Sequence, residues 1–565
     1  MSKHILLQKA VARPNSIRSQ LSDLSWSRGI ANFFLEDIPF SYSTGYDHAA
    51  KIVAFIDQFA TNNPDKPITV LELGSGTGLL CLRILDLLHQ ENYTFAKDVH
   101  IIITDFSEAL IEQIKASSLF DRYTNQVSFY VFDFLTDSYD RLPPFDMVIM
   151  SYLLDSIGHH HLEYNHHGIF EKHVTSYYDR TGYIFDTATL PPKIVPNDEK
   201  ATFIHDIINT QSYEKLSQLR DNVKEYYSNK DLSQTTFNES TIIDINNFLT
   251  YLKPDNPFYF NYSPAISKAL KQLFKQLPDH GMALIYDFGI PDVAASKKTT
   301  KSLLGKYGIC LFFAVYFPYI HYLAEQQGLS FLQTQFDSGH SQCCVITKNK
   351  TSYKTVFNNC FSEPGSLHST QNIKRIKRYK GNPLALHEYI KKIHQDTPPY
   401  EKHAYTLLMT IAIALKDAGL YEEALQYIYL IKVHYGSLSL SAIQLEVSIY
   451  NDCKQPELVV KTLTPLLKQH PFMTSYFYYY CLALVDLGQK DHFLALLPTY
   501  IQKCDLFIPW RFFLIASVFC YDLKNTKQAQ HFLNYIHDTA KQYPDLIKPD
   551  LLSAADQLQV ALTPS

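Results

Sequence analysis

The sequence predicts an α/β fold with a doubly wound parallel sheet, followed by an all-helical region. Short apolar runs alternate with amphipathic helical segments between about residues 50 and 158, which is typical of a parallel sheet covered by helices. Two further runs flank a turn near residue 338 and predict an antiparallel hairpin at the sheet edge. After residue 400, a helix–turn–helix unit recurs with a period close to 34 residues.

The elements of the sheet follow in order along the chain. The predicted strands are ITVLEL, VHIIITD, VSFYVFD, FDMVIMSYLL and GMALIYDFG, and the predicted edge hairpin joins LSFLQTQF to QCCVITK. The alternation stops between residues 159 and 278, where we predict a helical insertion. Because the last strand of the hairpin must run against its neighbours, we expect the sheet to end in an antiparallel strand.

Composition limits the function classes. A chain of 565 residues exceeds one ordinary domain. The net charge of −5 gives no electrostatic argument for a nucleic-acid partner, and the longest apolar run is too short to cross a bilayer. Nine scattered cysteines fit reduced thiols, so we predict a soluble cytoplasmic protein without a membrane partner. Oligomeric state is not predicted.

Three glycines follow an acid in the seam between the first predicted strand and its helix. Gly74, Gly76 and Gly78 allow the backbone to approach a ligand closely, because glycine has no Cβ and tolerates positive φ. The following helix points its first amides at that ligand. Glu72, two residues before the first glycine, would repel a pyrophosphate but suits a ligand with a cationic amino end.

The next strands also end in candidate ligand-binding residues. Asp105 and Phe106 close the second strand, and Asp133 and Phe134 close the third. The fourth strand ends at Ser151. Taken together, these strand ends resemble the motifs of class I S-adenosylmethionine-dependent methyltransferases, whose Rossmann-like sheet has an antiparallel last strand.

The resemblance implies S-adenosylmethionine as the cofactor and a role for each strand end. Glu72 and the three glycines would face its amino acid portion, and Asp105 would accept the ribose hydroxyl protons. Asp133 would accept the adenine amino proton, while Phe134 would face the ring. Phe106 and Ser151 complete the predicted cofactor site.

Within the class, residues 40–348 resemble the MidA family, which includes the mitochondrial complex I assembly methyltransferase. Ser151–Gly158 corresponds to the family's Asn-Glu-Leu-Leu-Asp-Ala-x-Pro, and Asp287–Gly289 to its Asp-Tyr-Gly. Ser151 and Tyr152 stand where the family has the Asn-Glu pair. The resemblance implies a protein substrate, with arginine as one candidate acceptor.

Methyl transfer needs an aligned nucleophile and a group that takes its proton. Asp155 is the first candidate for that group, with Tyr152 and Ser151 positioning donor or acceptor. A helix N-cap is the alternative reading of Asp155. The histidine run at residues 159–167 is predicted as a solvated or substrate-gating loop, and we predict no metal site.

The predicted domains are an N-terminal segment at 1–45 packing near the cofactor, a methyltransferase domain at 46–348, a linker at 349–399, and tetratricopeptide-like repeats at 400–565. The aligned positions of the four repeats are Ala424, Val459, Phe493 and Ala529. Such repeats bind proteins in a groove, so we expect them to recruit a protein substrate or partner. The alternatives are a catalytically degenerate scaffold whose repeats bind partners, and a small-molecule methyltransferase.

Overall fold

A computed structural model describes most of the chain. The described residues are 4–27, 42–64, 66–179, 223–296, 303–307, 310–336, 341–363, 369–379, 382–397, 402–436, 439–469, 474–504, 510–542 and 549–562. They form two compact units. One unit holds Gln8–Ser176 and Glu225–Ile443, and the other holds Met1–Leu7, Tyr177–Lys224 and Gln444–Ser565.

The first unit is built around an eight-stranded sheet. Its strands are β2 (Ile68–Leu73), β3 (Val99–Asp105), β4 (Val127–Val131), β5 (Met147–Ser151), β10 (Met282–Ile290), β13 (Val315–Tyr316), β14 (Ser330–Gln333) and β15 (Ser341–Thr347). Their order in the sheet is β14-β15-β10-β5-β2-β3-β4, with the short strand β13 beside β10. Strands β10, β5, β2, β3 and β4 are parallel, whereas β15 runs antiparallel to β10 and to β14. The predicted parallel sheet with an antiparallel edge hairpin is confirmed.

Helices cover this sheet, and their apolar faces form its core. They are α1 (Ile17–Ser27), α2 (Tyr46–Asn62), α3 (Leu79–Gln90), α4 (Glu108–Ala116), α5 (Glu239–Leu252), α6 (Pro264–Gln276) and α7 (Phe317–Gln326). Helix α3 is buried along nearly its whole length. Because parallel strands put their carboxyl ends at one edge, the residues that follow β2, β3, β4, β5 and β10 meet there.

The insertion was predicted to be helical, and this prediction is wrong for the described residues. It contributes strands β6 (His160–Asn165), β7 (Gly168–Asp179), β8 (Val223–Asp231) and β9 (Phe258–Tyr262), which share a five-stranded sheet with β1 (His4–Ala12). Among the described residues of the insertion, α5 and α6 are the α-helices. The histidine run is not a loop, because Asn165 pairs with Gly168 across a two-residue turn and Gly168 has a φ of 129°. A short antiparallel pair, β11 (Leu304–Tyr307) and β12 (Cys310–Phe313), follows.

The predicted linker at 349–399 is also wrong in character, since it folds into three helices. These are α8 (Lys350–Cys360), α9 (Ser369–Arg378) and α10 (Pro383–Asp396). Asn382 caps α10 by accepting a hydrogen bond from the Ala385 amide at 2.8 Å, and Pro383 opens the helix. The polar composition that suggested a linker therefore belongs to capped, amphipathic helices.

The remaining described helices follow one another along the chain, and three-residue turns join eight of them into four pairs. They are α11 (Tyr405–Asp417), α12 (Tyr421–Tyr435), α13 (Leu440–Asp452), α14 (Pro456–Gln469), α15 (Thr474–Asp486), α16 (Lys490–Cys504), α17 (Trp510–Asp522), α18 (Thr526–Gln542) and α19 (Pro549–Leu562). The four aligned positions of the repeats are all buried and each is the fourth residue of the second helix in its pair. The repeating helical pairs agree with the sequence period, while their tetratricopeptide character stays a prediction.

The first helical pair belongs to the unit that contains the sheet. Buried Arg83 on α3 donates to the His434 carbonyl of α12 at 3.1 Å, and its guanidinium lies between the rings of Tyr46 and Tyr435. Asp86 accepts from Arg83 at 3.3 Å. A truncation before residue 405 would therefore remove two contacts of this buried cation, the His434 carbonyl and the Tyr435 ring, and leave those to Asp86 and Tyr46.

Candidate active site at the carboxyl edge of the sheet

The glycine-rich bend after β2 has the backbone that the sequence predicts. Gly74, Gly76 and Gly78 have φ values of 68°, 55° and 70°, in the left-handed region that favours glycine. A Cβ on Gly76 would meet nothing within 4 Å, so this part of the bend faces open space. A Cβ on Gly74 would lie 2.7 Å from Cδ1 of Leu153. The bend thus offers open backbone on one side and touches the turn after β5 on the other.

Glu72 lies at the base of this bend and is nearly fully buried. Its Oε2 accepts a hydrogen bond from the Cys81 thiol at 2.7 Å, and burial raises its pKa to about 7. Side-chain hydrogen bonds from Cys81 and Ser75 offset this burial only in part, so a nearby cationic group would stabilise the charge of Glu72.

Asp105 holds the bend from the end of β3. Its Oδ2 accepts from the Gly76 amide at 3.1 Å and its Oδ1 from the Ser107 amide at 3.0 Å. Burial raises its pKa to about 6 despite these amides. Phe106, the next residue, is 51% exposed beside this otherwise buried carboxyl. A large exposed ring next to a buried acid and an open glycine bend is suited to stacking on a planar ligand.

The third strand end is arranged differently. Asp133 receives hydrogen bonds from the Leu135 amide at 2.9 Å and the Thr136 hydroxyl at 2.8 Å, which close its own turn. Phe134 is 5% exposed and packs in the hydrophobic core. The structure brings Asp133 to the predicted edge, while the ligand roles of both residues stay predictions.

Strand β5 delivers Ser151 and Tyr152 to the same edge. Tyr152 has a φ of 52°, an uncommon conformation for an aromatic residue, and its hydroxyl hydrogen-bonds Ser341. Ser151 Oγ lies 3.2 Å from Nε2 of His48 on α2. His48 is fully buried, which lowers its pKa to about 3, and it packs on Tyr286 with ring centroids 4.5 Å apart. Sequence reasoning missed His48, because nothing in the pattern of α2 separates it from core residues.

Asp155 lies in the turn after β5 and faces Asp287 at the end of β10. Both are fully buried. Asp287 accepts from the Leu154 and Phe288 amides at 2.9 Å and from the Asp155 amide at 3.3 Å, whereas neither carboxyl oxygen of Asp155 receives a hydrogen bond. The alternative N-cap reading of Asp155 is wrong, since Leu153 occupies the cap position. Burial raises the pKa of both carboxyls, and the charge of Asp287 raises that of Asp155 further.

Three of the histidines after β5 have partners within the protein. His160 pairs with Glu171, His161 hydrogen-bonds Asn261, and the His159 ring contacts the Ile157 carbonyl at 2.7 Å. Across the residues that the structure describes, no three His, Cys, Asp or Glu side chains are arranged to hold a metal ion. Within the same residues, no helix combines the length and the hydropathy required to cross a membrane.

Comparison with known proteins finds a family that is similar to part of this chain. Residues 50–309, a little under half of the chain, match a family described as "Putative S-adenosyl-L-methionine-dependent methyltransferase". No curated protein matches at a significant level. The matched region begins in α2 and includes the glycine bend and the ends of β3, β4, β5 and β10.

Several solved structures are similar to this chain, with low sequence identities and low TM-scores. A candidate methyl transferase from Burkholderia thailandensis, bound to S-adenosyl-homocysteine, shares 15% identity with a TM-score of 0.36, covering 57% of this chain and 74% of that one. An uncharacterised protein from the same organism shares 14% identity, with a TM-score of 0.34, covering 56% of this chain and 79% of that one. Human N-acetylserotonin methyltransferase, in complex with the cofactor, shares 11% identity, with a TM-score of 0.27 and coverages of 60% and 57%.

The family match supports S-adenosylmethionine as the cofactor of residues 50–309. The residues present fit that cofactor. Glu72 offers a buried carboxylate for a cationic group, Gly76 leaves the space that a side chain would fill, and Phe106 exposes a ring.

Proposed function

We propose that this protein transfers a methyl group from S-adenosylmethionine to a protein side chain, with arginine as the first acceptor to test. The observation that carries the methyltransferase part is the open glycine bend held between the buried carboxyls Glu72 and Asp105. The protein acceptor is supported by the helical pairs that follow the catalytic unit, since stacked helical repeats commonly bind peptides.

The cofactor, when bound, supplies a methyl group on a positively charged sulfur. Glu72 would neutralise the cationic amino end of the cofactor, and Asp105 would accept from its ribose hydroxyls while Oδ2 keeps the Gly76 amide in place. Ser151 and Tyr152 lie where the acceptor enters and hold it by hydroxyl hydrogen bonds. Because the displacement is in line, the main task of these residues is alignment and exclusion of water.

Methylation leaves an extra proton on the acceptor nitrogen, and this proton passes to solvent water at the strand end. Asp155, our sequence candidate for taking that proton, has no exposed surface. Ser151, with His48 behind it, is the better placed polar group, because its hydroxyl lies at the open strand end. We therefore assign acceptor contact to Ser151 and Tyr152, and keep Asp155 for the structure of the turn.

The function is tested in two stages with the full chain. Calorimetry with S-adenosylmethionine should give one binding site per chain, and mass spectrometry of lysate proteins incubated with isotopically labelled cofactor should show labelled peptides. Absence of cofactor binding by a folded sample would overturn the proposal. The matched control is Glu112→Gln, an exposed acid on α4, which should bind as the wild type does.

One observation favours a second candidate, a scaffold that binds cofactor without turnover. The acid expected to take the proton is sealed inside the fold. Cofactor binding without labelled product in any fraction would support the scaffold, whereas labelled small molecules and unlabelled proteins would identify a small-molecule methyltransferase.

A further inference from the structure

The turn after β5 is fastened to β10 by a carboxyl pair, Asp155 and Asp287. Both side chains are fully buried, yet their surroundings differ. Three backbone amides donate to Asp287, and two of these, from Leu154 and Asp155, belong to the turn itself. No donor reaches the carboxyl oxygens of Asp155. Hydrogen bonds to a carboxylate stabilise its charge, so the negative charge belongs on Asp287.

We infer that Asp155 is a neutral acid that gives its proton to the carboxylate of Asp287, and that this pair is a positioning device for the Tyr152–Ser156 turn. Two like charges cannot both be held in one buried site, so one proton remains on the pair. Asp155 is the member that carries the proton, because its oxygens have nothing else to stabilise a charge. Cys344 and Tyr152 are the other titratable groups facing the pair, and both stay neutral.

The turn needs such a fastening. Tyr152 is held at a φ of 52°, and its amide donates to the Tyr286 carbonyl at 2.9 Å. A non-glycine residue in this region is strained and persists only when its surroundings hold it. The same turn carries Leu153, whose side chain touches the position of Gly74 in the cofactor bend. Displacement of the turn would therefore reach the glycine bend directly.

Two isosteric substitutions separate the roles of the two acids. Asp155→Asn keeps a donor that can replace the acid proton, so we expect the turn to be retained. In Asp287→Asn, the NH₂ group of the new amide must face a backbone N–H in either orientation, so an acceptor is lost. A role confined to filling space would make the two variants equivalent.

The first readout is infrared spectroscopy of the full chain near pH 8, where carboxyls such as Glu72 and Asp105 are ionised. We expect a protonated-carboxyl band that disappears in D155N and persists in D287N. The opposite pattern, or no such band in the wild type, would overturn the assignment. Since wild type and D155N suffice for this test, it survives if D287N fails to fold.

The second readout is hydrogen exchange of the peptide that covers residues 152–156. Exchange should be faster by about tenfold or more in D287N, because a neutral amide holds the Leu154 and Asp155 amides less strongly than a carboxylate, and unchanged in D155N. Equal exchange in the two variants would refute the positioning role. The further expectation that D287N weakens S-adenosylmethionine binding rests on the proposed function, whereas the spectroscopic and exchange results do not, so the two can fail separately.

Discussion

Two pairs of carboxyls lie at the same edge of the sheet, and their surroundings are opposite. Glu72 and Asp105 border a bend with open space at Gly76 and an exposed ring at Phe106. Asp155 and Asp287 face each other with no exposed surface and use backbone amides of their own turn. All four acids are therefore buried, yet we assign them different functions. The difference is that open backbone lies beside Glu72 and Asp105 but not beside Asp155 and Asp287.

This difference shows how raised pKa values at the carboxyl edge of the sheet should be interpreted. Burial raises the pKa of all four acids, so a perturbed pKa alone would mark four catalytic candidates. Only the first pair adjoins space that a ligand could fill. The second pair is better explained as part of the fold, and Leu153 against Gly74 is the physical connection between the two.

The largest effect is expected at the contact between Gly74 in the cofactor bend and Leu153 in the turn after β5. Gly74→Ala places a Cβ 2.7 Å from Cδ1 of Leu153 and strains a φ of 68°. We expect cofactor affinity to fall by about 100-fold or more, since the strain of about 1–2 kcal/mol adds to a displaced bend. Calorimetry measures the loss. Gly328→Ala has the same φ with nothing within 4 Å, so it should bind cofactor normally.

A double variant sharpens that result. Adding Leu153→Ala to Gly74→Ala removes the clash but keeps the backbone strain, so part of the affinity should return. No recovery at all would mean that the two regions are not coupled through this contact.

The next largest loss of cofactor affinity is expected from changes to Glu72 and Asp105 themselves. Asp105→Asn removes the charge that would accept ribose hydroxyls and that holds the Gly76 amide. A hydrogen bond to a charged group contributes about 1.5–3 kcal/mol, so cofactor affinity should fall by about 10- to 100-fold. The exposed Glu112→Gln variant serves as the control. Unchanged affinity in Asp105→Asn would remove this acid from the site.

The pH dependence of cofactor binding should follow the protonation of Glu72 and Asp105. Because the pKa of Glu72 is raised to about 7 and that of Asp105 to about 6, the free protein protonates both acids as pH falls through these values. A cationic ligand requires both carboxyls in their charged forms. For each of the two acids that must lose its proton, cofactor affinity should therefore decrease by up to about tenfold for each pH unit below pH 7. Without ligand the sign is opposite, since raised pKa values make these two groups reduce stability as pH rises from about 4 to 7. Calorimetry and thermal melts from pH 5 to 8 check both.

The smallest effect is expected at the exposed ring. Phe106→Ala should leave the melting temperature nearly unchanged, because half of the side chain is already exposed. Loss of one stacking contact of about 0.5–1.5 kcal/mol should weaken cofactor binding by about two- to tenfold. Tyr429→Ala, at an exposed position on α12, is the control. A larger loss of stability than of affinity would identify Phe106 as a packing residue.

The sequence by itself determined the parallel sheet, its antiparallel edge, the glycine bend and the spacing of the helical repeats. These features follow from local rules, because apolar periodicity, positive φ and strand ends can be read from neighbouring residues. The strands of the insertion were missed because a polar, histidine-rich hairpin lacks the usual alternation, and the helices at 349–399 were missed because their polar faces resemble a linker.

Only the tertiary structure decided the roles of the acids. Asp155 and Asp287 are 132 positions apart, and Gly74 meets Leu153 across 79. No local pattern reports that a carboxyl is sealed against a partner or open to a ligand, since that depends on which strands become neighbours. His48 beside Ser151 is decided in the same way, because its burial and its partner are set by the packing of α2 on the sheet.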